Sequence, residues 1–355
     1  MAKRAVIFGG PSPEHDISIS TGLQAARLAG PIEAIYWDKT GRFHQVDPTS
    51  EASDFADGVP RKARELSFVA EPGMGFIARK KPLDISVILN CCHGGPGEDG
   101  TLQGLFDLVG YRYSGPGQWG SALGMDKLSF GAAVAQVGLP TLPRTLLRAD
   151  VPPPFDGPYI VKPRFGGSSI GIEVVEDHAT AVALLRGPNM TDGAVIEPFL
   201  SDFRDLQIAV RTYPDLQLSA IEEPVRASGG LYSYQQKYLA WSGSGAIARK
   251  LPAELDPALE SELRAAAKVV AGVVGVRSVA RIDFLESDGQ LWVNEINTIP
   301  GSLSGYLWIE PAIDRRRQIE DMFSEIEASR PRAFSTAGAD GTALRNAGTI
   351  AGKLG

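Results

Sequence analysis

Asp283, Glu295 and Asn297 offer the oxygen atoms that a hard divalent cation binds, and they fall in one stretch of this 355-residue chain. The stretch runs Ala280-Arg-Ile-Asp-Phe-Leu-Glu-Ser-Asp-Gly-Gln-Leu-Trp-Val-Asn-Glu-Ile-Asn-Thr-Ile-Pro-Gly301. It reads as two short strands joined by a turn at Ser287-Asp288-Gly289. Side chains alternate across a strand, so Arg281 and Asp283 share one face of the first, and Glu295 and Asn297 one face of the second. The remaining positions are mostly apolar, so charges sit in a hairpin that is otherwise buried. Burying a charge without a partner is costly. Two partners would answer that cost. One is Mg2+, which prefers oxygen ligands and bridges to substrate phosphates. The other is Arg281, which would neutralise the acids as an ion pair on the sheet.

Phosphate also needs cations, and Lys127, Lys162 and Lys237 come from three separate segments. Lys162 lies on an apolar strand just before Gly166-Gly-Ser-Ser-Ile-Gly171, a loop with the hydroxyls of Ser168 and Ser169 near its tip. Backbone N-H groups in such loops can cradle an anion. No Gly-Lys-Ser/Thr follows, so this is not a Walker loop. Gly9-Gly10 follows the first strand without the G-x-G-x-x-G spacing of a dinucleotide site. Glu14 comes just after that turn, and His93 opens a second glycine loop, His93-Gly-Gly-Pro-Gly-Glu-Asp-Gly100. Both loops leave the carboxyl ends of predicted strands, where open α/β sheets bind ligands.

The elements that must position these groups fall into three regions. Ala5 to Phe8 and Ile32 to Trp37 read as strands flanking a helix from Ile17 to Leu28, a βαβ unit that implies a parallel sheet. Ile85 to Leu89 adds a buried strand and Gly100 to Leu108 a helix, and Tyr111 to Ser114 is a short strand. Residues 40–81 are polar and read as irregular. A helix from Lys127 with Asp126 as its N-cap opens a second, smaller α+β region. A third region is rich in strands, with helices over Pro257 to Gly272 and Asp314 to Ala328. The expected domains are 1–125, an α/β substrate domain; 126–203, a central subdomain; and 204–355, which carries the cation site and a tail. In that tail Leu344, Ile350 and Leu354 are the residues able to dock.

Composition narrows the partners. The net charge of −7 argues against nucleic acid, and no apolar run is long enough for a membrane span. Cys91 and Cys92 are adjacent, which suits reduced packing residues rather than a disulfide framework. A cytoplasmic protein is expected.

Taken together, these segments resemble the D-alanine-D-alanine ligases, members of the ATP-grasp fold. The resemblance rests on an ordered series: Gly9-Gly-Pro-Ser-Pro-Glu14, His93-Gly to Gln103-Gly104, Ser121-Ala-Leu-Gly-Met-Asp-Lys127, Val161-Lys-Pro to Gly-Ser-Ser-Ile-Gly171, Gln236-Lys-Tyr238, and Arg281-Ile-Asp-Phe-Leu to Asn-Glu-Ile-Asn-Thr-Ile-Pro-Gly301. It implies a three-domain ATP-grasp architecture of α/β and α+β units, and a ligase that joins two D-alanines for peptidoglycan through an acyl phosphate. ATP would lie between the second and third domains. Lys127, Lys162 and Lys237 would hold its phosphates with Ser169, and Glu197, Phe199 and Leu200 would line the adenine pocket. Asp205 is the candidate for the ribose. Asp283, Glu295 and Asn297 would bind two Mg2+ ions, or Mn2+ in their place. Glu14 would orient the ammonium of the first amino acid, and Ser168 and Tyr238 would join it in one hydrogen-bonded set. Arg281 and the Gly301 backbone would stabilise the oxyanion. His93, Ser302, Ser304 and Tyr306 are the remaining substrate candidates. Members are commonly dimers, so a homodimer is expected.

The sequence departs from the family in three places. Pro198 replaces the lysine usual after the adenine-strand glutamate. Asp205 stands near the usual ribose glutamate, in a segment one residue longer. Tyr306 takes the place of the serine that holds the carboxylate of the second amino acid. The alternative reading is therefore a related ATP-grasp amide ligase with a different amine acceptor. From another class, a nucleotide-binding protein without turnover is opposed by the complete set of lysines and acids. Tyr238 beside Lys237 points to an amine rather than a hydroxyl acceptor, by analogy with the family.

Overall fold

The computed structural model describes residues 3–225, 249–350 and 352. The first sheet is built on β1 (Arg4–Gly9), which pairs in parallel with β2 (Glu33–Trp37) across the helix α1 (His15–Ala29). Val6 and Phe8 face one core, Ala5 and Ile7 the other. A strand buried on both faces reads as a continuous apolar run, and Ala5-Val-Ile-Phe8 does so.

Residues 40–81 correct the sequence reading. They hold β3 (Phe43–Val46), β4 (Arg64–Val69), β5 (Gly75–Ala78) and β6 (Lys81–Pro82). These extend the sheet antiparallel beyond β2, while β7 (Val87–Asn90) and β8 (Arg112–Tyr113) continue it in parallel on the other side of β1. The order is β6-β5-β4-β3-β2-β1-β7-β8, a mixed sheet rather than a purely parallel one. Short helices α2 (Gly95–Glu98), α3 (Thr101–Val109) and α4 (Gln118–Met125) follow β7.

Helix α5 (Lys127–Gln136) starts as read: the Asp126 side chain accepts from the Leu128 N-H. The second sheet has the order β11-β10-β12-β9. Its strands are β9 (Thr145–Leu146), β10 (Tyr159–Pro163), β11 (Glu173–Val175) and β12 (Ala194–Pro198), with α6 (His178–Leu184) packed on it. In the third sheet, β13 (Arg204–Arg211) is central. It pairs with β14 (Gln217–Pro224), which carries β15 (Arg249–Lys250) at the edge. Helix α7 (Pro257–Val274) and α5 cover one face of that sheet. On its other side β13 pairs with the hairpin of β16 (Val279–Ser287) and β17 (Gln290–Asn297).

The last long helix, α8 (Arg315–Ala328), does not stay with the third sheet. Ile319, Met322, Phe323 and Ile326 pack into the core under the first. Arg4 reinforces that return through Glu327 at 2.7 Å and Glu320 at 2.8 Å. The segment expected to belong to the third region therefore closes the first. Leu344 and Ile350 are exposed at 79% and 70%, so neither docks, and Leu354 lies outside the described residues.

Candidate active site

The hairpin register sets the cation candidates face to face. Asp283 pairs directly with Glu295, and Arg281 with Asn297. Directly opposite residues share a face of the sheet. Between Asp283 and Phe284 the register shifts, because Glu295 answers Asp283 while Val293 answers Phe284. Asn294 is the extra residue of this β-bulge, a device that re-aims a side chain beside a site. Its carboxamide oxygen accepts from Lys162 at 3.3 Å. In this structure Arg281 also grips Asp283 with two hydrogen bonds of 2.7 and 2.8 Å, and the Asn297 amide donates to the same carboxylate at 3.2 Å. The ion-pair reading thus holds for Asp283.

Among the described residues no group of three or more His, Cys, Asp or Glu side chains is arranged to hold a metal. The candidate set is smaller: two opposed carboxylates and one amide oxygen. All are hard donors, and an incomplete shell suits Mg2+, which keeps waters and takes further oxygens from a substrate.

A cleft enclosing about 1100 Å3 of open space lies between the second and third sheets. Lys127, Lys162, Ser169, Asp205, Asp283, Asn294 and Glu295 line it with polar groups, and Ile160, Ile172, Phe203 and Leu285 with apolar ones. Phe199 and Leu200 do not line it; both are half-buried beyond the end of β12. The apolar walls come from β10 and β16 and from the residues preceding β11 and β13. Glu197 does not line the cleft either. It is fully buried, and accepts from Lys162 at 2.8 Å and from Arg144. Burial pushes the Glu197 carboxyl up, but Lys162 and Arg144 outweigh it and hold the group below its ordinary value. Glu197 therefore holds Lys162 in place, and the sequence reading missed Arg144 altogether.

Lys127 is tied to the glycine loop. Its ammonium donates to the Gly166 carbonyl, and its backbone N-H donates to Arg164 at 3.1 Å. Arg164 in turn forks onto Asp126 at 2.6 and 2.8 Å. Burial lowers the Lys127 pKa. A desolvated ammonium beside such a cleft would gain by meeting an anion.

A second, narrower cavity adjoins the first. Glu14, Glu98, Lys127, Gly166, Gly167, Glu295 and Asn297 line it. Lys127, Glu295 and the two glycines belong to both cavities. Ser168 donates to Glu14 across the junction of the first and second sheets. Gly94, at φ +62°, lets the backbone pass this carboxylate: a Cβ there would come within 2.5 Å of Glu14 Oε2. Tyr238 and Lys237 lie outside the described residues.

His93 lines neither cavity. It is 2% exposed, with Nδ1 2.6 Å from the Ile299 carbonyl and Nε2 2.9 Å from Thr21 Oγ1. Burial lowers its pKa. These contacts brace the first sheet against the loop after β17. Glu98 does similar work. It accepts from Gly94 N at 2.8 Å, Ile299 N at 2.8 Å and Thr298 Oγ1 at 3.2 Å. Burial first, and then Glu14, push its carboxyl up to about 7.

Gly301 opens a tight turn through Leu307, in which Ser302, Leu303 and Ser304 all have φ near +50°, at 49°, 51° and 50°. Three such non-glycine residues in a row cost free energy that the surrounding contacts must offset. The Ser302 N-H donates to Thr21 at 3.1 Å, and Gln318 donates to the Leu303 carbonyl at 2.7 Å. The Ser304 hydroxyl is buried and has no partner among the described residues. Tyr306 is half-buried beside Glu222 and hydrogen-bonded to it, with the Arg249 guanidinium 5.2 Å above its ring. Burial raises the pKa of both Tyr306 and Glu222.

Known proteins place this arrangement in a class. The family model for the D-ala D-ala ligase N-terminus matches residues 3–116, and that for the D-ala D-ala ligase C-terminus matches residues 145–318. The D-alanine--D-alanine ligase of Bradyrhizobium sp. is 34% identical over 321 residues, covering 84% of this chain and 86% of its own. That of Nitratiruptor sp. is 31% identical, covering 92% and 94%. The chain belongs to the D-alanine-D-alanine ligase family. Among solved structures, the D-Alanine-D-Alanine Ligase from Helicobacter pylori superposes with a TM-score of 0.72 at 24% identity, covering 92% of this chain and 98% of that one. The VanG D-Ala:D-Ser Ligase from Enterococcus faecalis gives 0.77 at 22%, covering 92% and 100%. At these identities the two structures speak for the ATP-grasp fold alone. Among the described residues, no helix is long and apolar enough to cross a membrane.

Proposed function

We propose that this chain joins two molecules of D-alanine with consumption of ATP, releasing ADP and phosphate. One observation carries the reading: Lys127 and Glu295 line both the large cleft and the acid-lined cavity beside it. A nucleotide in the first would present its terminal phosphate to an amino acid in the second at those two residues. The family relationship supplies the substrate class.

In this reading Lys127 and Lys162 take the phosphates, with Lys237 from outside the described segment. Ser169 and the glycine loop close over them, and Asp205 takes the ribose. Asp283, Glu295 and Asn297 would hold two Mg2+ ions, or Mn2+, which would neutralise the oxygens of the transferring phosphoryl group. Glu14, held by Ser168 and joined by Tyr238, orients the ammonium of the first D-alanine. Its carboxylate oxygen attacks the γ-phosphorus, ADP leaves, and an acyl phosphate forms. The amine of the second D-alanine, having lost a proton, attacks the acyl carbon. The tetrahedral oxyanion meets Arg281 and the Gly301 N-H. Collapse expels phosphate with the oxygen that bridged it to carbon. Exclusion of water protects the acyl phosphate throughout. The carboxylate of the second D-alanine falls to the Gly301–Leu307 turn, where Ser302, Ser304 and Tyr306 are the candidates.

The test is direct. The full chain is incubated with ATP, magnesium and a panel of D- and L-amino acids, and products are weighed by mass spectrometry. D-Ala-D-Ala with stoichiometric phosphate is expected. A different amide, or nucleotide binding without turnover, would overturn the assignment.

A further inference from the structure

We propose that the chain carries a second small-molecule site, built to bind a phosphate-bearing anion and separate from the ligase cleft. A pocket with about 800 Å3 of open space lies among α3, β8, α4, the end of α7 and residues 329–332. It shares no residue with the two cavities of the active site. Four arginines line it: Arg112, Arg277, Arg330 and Arg332. Asp107 is the one carboxylate among the described lining residues, and Arg332 meets it at 3.1 Å. That leaves three guanidinium charges in excess, in a chain whose net charge is −7. Such a local reversal of sign draws anions against the field of the whole molecule.

Three of these guanidinium groups are set rather than loose. Arg277 donates through Nε to the Gly115 carbonyl at 2.8 Å and lies 5.0 Å from the centre of the Tyr113 ring. Its Nη2 is buried and has no acceptor among the described residues. Arg112 donates to the Glu327 carbonyl at 2.7 Å, a contact that leaves its charge uncompensated. Arg332 lies 4.4 Å from the centre of the Trp119 ring, and that ring is 75% exposed. Planar forks fixed on aromatic faces suit oxyanions better than flexible lysines do. A buried N-H without an acceptor is costly, and a ligand oxygen would remove that cost.

Part of this pocket lies beyond what the chain shares with its family models. Trp119, Arg330 and Arg332 all fall outside the matched residues 3–116 and 145–318. It forms because α8 returns to the first sheet and delivers residues 329–332 beside α4.

Inorganic pyrophosphate is the probe, added to the full chain in the presence of EDTA. The readout is the indole N-H resonance of Trp119 in 15N-labelled protein, assigned with Trp119→Phe. A saturable shift is expected. Arg330→Gln, at an exposed position, and Arg277→Gln should each weaken binding about tenfold, equivalent to ~1.4 kcal/mol. Thermal melting of both variants checks that they fold. No saturable shift overturns the proposal, and so does a shift that survives in a folded double variant. A Trp119 shift that follows protein dilution instead would mean that a second copy covers this face, and would overturn it too. None of these outcomes depends on the ligase reading.

Discussion

The two ends of the active site are built in opposite ways. At the nucleotide end, the functional side chains stand on paired strands. Ladder register sets Asp283 on β16 opposite Glu295 on β17, and Lys162 faces them from β10 of the second sheet. At the acceptor end they stand on loops and at the ends of helices. Contacts between distant segments position them, as where Glu98 accepts from Thr298 and Ile299 some 200 residues away and Ser168 donates to Glu14. Regular structure fixes geometry through many equivalent bonds. A loop site depends on a few specific ones, and losing one moves the site. The strand end should therefore fail chemically when a functional group is removed, and the loop end should fail by misplacement.

The largest expected effect is at the strand end. Glu295→Ala should lower turnover about a thousandfold, as removal of a metal ligand and transition-state partner does, with circular dichroism unchanged. Near-normal turnover at saturating magnesium would remove Glu295 from the cation site. Glu197→Gln comes next. It leaves Lys162 and Arg144 buried with a neutral partner, and should cost about 3–5 kcal/mol in urea unfolding, the usual toll of breaking a buried ion pair from one side. Unchanged stability would mean that Glu197 does not hold Lys162.

At the loop end, Glu98 gives a pH signature. Its carboxyl, near 4.5 in the unfolded chain, is raised to about 7 in the fold. The folded state then binds more protons than the unfolded state between those values. Its contribution to stability is complete below about 4.5 and is lost as pH rises toward 7. Glu98→Gln should flatten that part of the stability curve. A curve of the same slope in the variant would assign the dependence elsewhere. The smallest effect expected is at Tyr306. Tyr306→Phe removes the hydroxyl that meets Glu222, and should raise KM for the second amino acid about tenfold (~1.4 kcal/mol), leaving ADP affinity unchanged. An equal change in both would show that Tyr306 supports the whole site rather than the acceptor end.

The same contrast explains what could be read in advance. The hairpin from Ala280 to Gly301 announced itself, because charged residues at alternate positions of an apolar strand are rare unless they have a partner. The strands of residues 40–81 did not. β3 is four residues long, buries only Val46 and His44 fully, and has polar neighbours on both sides, so two inward positions had to carry the whole signal. Arg144 gave no local sign. Its partner Glu197 lies 53 residues away, on β12, and pairs with it only once the second sheet forms. The bulge at Asn294 was invisible for a related reason: register is a property of two strands, and one strand read alone keeps perfect alternation. The return of α8 to the first sheet depends on tertiary packing that its amphipathic pattern cannot specify.

Isotope transfer tests the central claim most directly. D-alanine carrying 18O in both carboxylate oxygens is supplied with unlabelled ATP and magnesium, and the released phosphate is examined by 31P NMR. If the carboxylate attacks the γ-phosphorus where Lys127 and Glu295 join the two cavities, each phosphate released with dipeptide carries one 18O. Dipeptide formed with unlabelled phosphate would contradict the acyl-phosphate route and the assignment of the site that rests on it.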